Sequence, residues 1–95
     1  MKVRHKRLRQ FAETGVAKGI DAAMARRLDE VLTALRGASG PSQLDNPGWR
    51  LHPLKGDLAG HWSVSVTRHW RVTFRFEGGE AVDVDLVDYH TGGPR

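Results

Sequence analysis

The chain contains no cysteine, which excludes a disulfide framework and any thiolate metal centre. No apolar run approaches the roughly 18–20 residues a bilayer-crossing helix needs. The basic start, Met1 to Gln10, lacks the apolar stretch of a secretory signal, so the expectation is a cytoplasmic protein that does not touch membranes. No glycine-rich loop joins a strand to a helix in the phosphate-cradling pattern, and Gly78-Gly79 reads as a turn. Five histidines are present, but none form the i, i+4 pair of a helical zinc site. No metal and no cofactor are expected. With 95 residues there is room for one core, placed at residues 1–90, followed by a Gly- and Pro-rich tail at 91–95 expected to be flexible.

What is present is an uneven distribution of charge. Fourteen of the fifteen Lys and Arg lie within residues 1–75, together with only six of the eleven Asp and Glu. A basic body followed by an acidic end attracts polyanions by counterion release. A merely solvated basic surface fits the same composition.

The layout follows from periodicity. Met1–His5 suits a short strand, and Lys6–Glu13 a short helix with Leu8 and Phe11 inward, broken by Thr14-Gly15. Met24, Leu28, Val31, Leu32 and Leu35 recur at helical spacing, which predicts a helix over about Ile20–Arg36 with Asp21 near its start and Gly37 as its stop. Pro41–Leu44 suits one further turn. Trp49–His52 suits the start of a strand. Trp62, Val64 and Val66 alternate with polar residues, as do Trp70, Val72, Phe74 and Phe76, and then Val82, Val84 and Leu86. Glu77-Gly78-Gly79-Glu80 is a hairpin turn. The fold class is therefore α+β: an antiparallel sheet of three to four strands, with two or three N-terminal helices packed on one face.

Two polar clusters could do chemistry. One is Arg50-Leu51-His52-Pro53-Leu54-Lys55-Gly56-Asp57, and the other is Asp88-Tyr89-His90. Arg68, Arg71 and Arg75 sit around them on the polar face of the middle strands. Imidazoles suit proton transfer near neutral pH, and cations stabilise a phosphoryl group gaining charge. Together they suit RNA cleavage by its own 2′-hydroxyl. Each residue has a plainer alternative. His52 can bond a nearby backbone carbonyl, Tyr89 can pack at the core, and Asp88 can pair with an arginine across the sheet. Arg71 and Arg75 can be solvated.

Leu51-His52-Pro53-Leu54-Lys55-Gly56, followed by Trp70-Arg71 and Asp88-Tyr89-His90, resembles the HigB-type toxins of the RelE/ParE superfamily. Arg4-His5-Lys6, Phe11 to Gly15, Arg26-Arg27-Leu28 and Trp62-Ser63-Val64 extend the resemblance over about residues 2–90. It implies the toxin of a type II toxin–antitoxin module: a ribosome-dependent, metal-independent endoribonuclease. Such a toxin enters the ribosomal A site beside 16S rRNA, cuts mRNA and is neutralised by a HigA-type helix-turn-helix antitoxin. It also implies that His52, Asp88, Tyr89 and His90 are the catalytic set, and that Lys55, Arg71, Arg68 and Arg75 bind RNA. Thr67-Arg68-His69 departs from the Asn-containing turn more usual before Trp-Arg. Two alternatives stand beside the nuclease: a ParE-like DNA gyrase inhibitor, and an RNA- or antitoxin-binding module without catalysis.

Overall fold

A computed structural model describes residues 1–15 and 20–88. Helix α1 (Lys6–Thr14) begins where His5 Nδ1 accepts from Leu8 N at 3.2 Å. It ends at Gly15, whose φ of 75° is the left-handed cap that glycine adopts without strain. Helix α2 (Ala22–Gly37) starts on Asp21, whose Oδ1 accepts from Met24 N at 2.9 Å. Gly37 is the last helical residue, and the stop falls on extended Ala38. A 3₁₀ turn follows at Pro41–Leu44.

Four strands form one antiparallel sheet in chain order: β1 (His52–Pro53), β2 (Trp62–Ser65), β3 (Trp70–Glu77) and β4 (Glu80–Asp88). Gly78 and Gly79, at φ 60° and 79°, close β3 to β4 in a two-residue hairpin that requires positive φ at both positions. The start of the chain makes a single parallel bridge, Val3 to Val84, rather than a strand. Lys2 N donates to Ala81 O and Arg4 N to Val84 O, so this segment covers the outer edge of β4. The terminal amine reaches Glu80 at 2.6 Å and holds that carboxyl below its ordinary range.

The core lies between the helices and one sheet face. Met24, Leu28, Val31, Leu32 and Leu35 from α2, with Leu8 and Phe11 from α1, pack with Val64, Val72, Phe74, Val84 and Leu86. Trp62 and Trp70 are partly buried against this cluster. The alternation expected in β4 fails at its start. Thr73 pairs with Asp85 and Arg75 with Val82, so β4 carries one extra residue between them. Asp83 takes φ 51° there. Val82 consequently faces away from Val84, and it is buried outside the main cluster, as is Leu54.

Leu28 is fully buried, and Leu28→Ala leaves a cavity against the sheet. A loss of about 2–5 kcal/mol is expected in denaturant unfolding. A loss under about 1 kcal/mol would show that α2 does not anchor the sheet.

Candidate nucleic-acid-cleaving site

The sheet register decides which side chains share a face. His52 pairs with Ser63, Ser63 with Thr73, and Thr73 with Asp85. Ser65, Arg71 and Val87 form a parallel row two residues away. Residues directly opposite in a ladder project to the same side. His52 and Arg71 therefore stand on the face away from the helices, offset by about 7 Å along the strands and by two strand spacings, about 10 Å, across them.

His52 is exposed, and its Nδ1 lies 3.1 Å from Arg50 O. A carbonyl only accepts, so Nδ1 carries the proton and neutral His52 presents a bare Nε2 lone pair. The plainer alternative, a histidine bonded to nearby backbone, is thus what the structure contains. Arg50 points its carbonyl there from φ 53°. This left-handed backbone costs a non-glycine residue of order 1–3 kcal/mol and gathers at functional sites.

The cations divide into two groups. Arg71 is half-buried, with Nε and Nη1 shielded from solvent. Arg68 is exposed at the tip of the turn between β2 and β3. Thr67 Oγ1 holds that turn by accepting from Trp70 N at 3.2 Å. Lys55 is exposed at the entry to a 3₁₀ turn, Gly56–Leu58, just beyond His52. Arg75 does not join them. It donates to Asp83 at 2.6 Å and to Glu77 at 2.8 Å, and these bonds, Glu77 foremost, raise its pKa further. Arg75 is partly exposed, and its charge is answered within the sheet by Asp83 and Glu77.

Asp88 pairs with Trp70. The register puts it at the exposed end of β4 on the helix-facing side, opposite the His52 and Arg71 face. Tyr89 and His90 lie outside the described residues, as does the tail at 91–95. No group of three or more His, Asp or Glu among the described residues is placed to hold a metal ion.

Sequence patterning missed His61 as part of this face. Its Nε2 lies 3.9 Å from Asp83 Oδ2, and its buried Nδ1 has no hydrogen-bond partner among the described residues. Extending the β2 alternation back by two residues from Ser63 would have found it. Arg50 carried no comparable signal, because nothing in Pro47-Gly48-Trp49 specifies a left-handed residue after them.

Residues 1–90 match the family described as the RelE-like toxin of the type II toxin–antitoxin system HigB. The chain is 39% identical over 87 residues to Endoribonuclease HigB of Proteus vulgaris, spanning 92% of this chain and 95% of that one. A YoeB/ParE toxin from Agrobacterium tumefaciens aligns over 93% of this chain and 94% of its own, with a TM-score of 0.49 and 21% identity. The protein is thus a type II toxin, and it belongs to the HigB-like toxin family. That membership implies an antitoxin partner. No helix among the described residues is long and apolar enough to cross a membrane.

The Arg75 hydrogen bond holds the Asp83 carboxyl below its usual range. A carboxyl with a depressed folded-state pKa stabilises the fold above its unfolded pKa, and this is lost as pH falls through the folded value. Asp83→Asn, which tolerates left-handed backbone, should therefore lower the melting temperature at pH 7 and leave it closer to wild type in strong acid. An equal deficit at both pH values would show that the pair adds nothing to stability.

Proposed function

We propose that the chain is a ribosome-dependent endoribonuclease that cuts mRNA in the A site and so arrests translation. It works in the cytoplasm until a HigA-type helix-turn-helix antitoxin binds it. The observation that carries this reading is His52: an exposed imidazole with Nε2 free, on the face that also carries Arg71. Family membership and the endoribonuclease relative support it. The gyrase-inhibitor alternative is not favoured, since a protein that only binds gyrase needs no tautomer-fixed imidazole beside an arginine.

In this scheme His52 Nε2 removes the proton of a ribose 2′-hydroxyl. The 2′-oxygen attacks the adjacent phosphorus, and the 5′-oxygen leaves with a proton supplied by His90. The products are a 2′,3′-cyclic phosphate and a 5′-hydroxyl, and no metal ion takes part. Arg71 and Lys55 hold the scissile phosphate while its charge grows, and Arg68 binds the RNA strand. Tyr89 stacks on or orients the nucleotide. Asp88, at the far end of β4, orients its surroundings rather than acting as the base.

The test is a translation extract with defined mRNA. Wild-type protein should generate new 5′ ends at A-site codons. His52→Ala and His90→Ala should each slow cleavage by about 10²–10⁴-fold with unchanged melting temperatures. Full activity of both folded variants would reject the acid–base scheme. Broken DNA with intact mRNA would favour the gyrase inhibitor.

A further inference from the structure

One row beyond His52, at the end of the sheet by the turn between β2 and β3, lies a hollow of about 360 Å³. Four arginines line it, Arg27, Arg50, Arg68 and Arg71, along with Gly48 and Ser65, and no carboxylate does. Trp49 O accepts from Ser65 N at 2.6 Å, which brings the segment before β1 alongside β2. That contact seats Arg50 across from the turn that carries Arg68.

Arg27 reaches in from α2 and is braced on three sides. Its guanidinium lies 6.0 Å from the Trp49 ring centroid. It donates to Ser65 O at 3.4 Å and meets Glu30 at 3.5 Å. Arg50 and Arg68 are exposed and form no ion pair among the described residues. The contrast with Arg75 is informative. On the same sheet the fold sets two carboxylates against Arg75 and, among the described residues, none against Arg50 or Arg68. Cations held together without counter-charge suit an anion, and guanidinium forks suit phosphate oxygens.

We propose that Arg50 and Arg68, walled by Arg27, form a second phosphate subsite. It grips the phosphodiester next to the scissile one in the same RNA strand. The inference rests on the nuclease reading for the identity of that strand. Arg71 stands between the two positions, about 7 Å along the sheet from the His52 row. Arg50 then has two duties: its carbonyl sets the His52 tautomer and its side chain holds the substrate in line with it. RNA engaged by this subsite is delivered to the base in a fixed register.

The test measures binding apart from cleavage. The full chain is titrated with a single-stranded oligonucleotide bearing 2′-O-methyl groups, which has no nucleophilic hydroxyl, and the dissociation constant is followed against salt. Arg50→Asn, which tolerates left-handed backbone, and Arg68→Gln should each reduce the slope of log K against log salt by about 0.7. Each should weaken binding evenly across sequences. Arg26→Gln, on exposed α2 surface outside the hollow, should keep the wild-type slope. Unchanged slopes for Arg50→Asn and Arg68→Gln, or no oligonucleotide binding by wild type, would overturn the subsite even if ribosome-bound mRNA is cut. Reduced slopes with mRNA left intact would support the subsite and reject only the cleavage reading.

Discussion

The register of the antiparallel sheet is the constraint on which the site depends. A slip of one residue in the pairing of β1, β2 and β3 would move His52 or Arg71 to the helix side and expose Val72 and Phe74. Burial of Val64, Val72, Phe74, Val84 and Leu86 against α2 therefore does more than stabilise the fold. It fixes which polar side chains can meet, because every alternate residue must face outward. Hydrophobic packing on one face selects the chemistry on the other.

Two local departures from regular structure shape that outer face. Left-handed Arg50 directs a carbonyl at His52 Nδ1, which leaves the Nε2 side of the ring open. Left-handed Asp83, at the bulge in β4, places a carboxylate on Arg75. The same sheet thus has a neutralised end and a cationic end. At the cationic end Arg27, Arg50, Arg68 and Arg71 line a hollow without a carboxylate in its wall.

The architecture was legible in the sequence because the apolar spacing changes cleanly from helical in residues 24–35 to alternating from Trp62 onward. The leucine stripe, the Gly78-Gly79 hairpin and the Asp21 cap all follow from local rules. The β4 bulge did not show, since Val82, Val84 and Leu86 alternate in sequence whether or not an extra residue breaks the ladder. The site was half legible. His52 and Arg71 were found by residue type and resemblance, and they share a face. The pairing of Arg75 was not legible, because the pattern cannot reveal that Asp83 and Glu77 converge on it. Asp88 was grouped with Tyr89 and His90 by sequence and resemblance, and the register that pairs it with Trp70 was not legible.

The central claim is that a ribose hydroxyl, deprotonated at His52, is the nucleophile that breaks the RNA chain. The most direct measurement is the end-group chemistry of mRNA cut by the protein in ribosomes. A 2′,3′-cyclic phosphate on the upstream fragment and a 5′-hydroxyl on the downstream one, with no cut at a 2′-deoxy substitution of the scissile nucleotide, is the predicted result. A free 3′-hydroxyl with a 5′-phosphate, or undiminished cutting at the 2′-deoxy position, would contradict it.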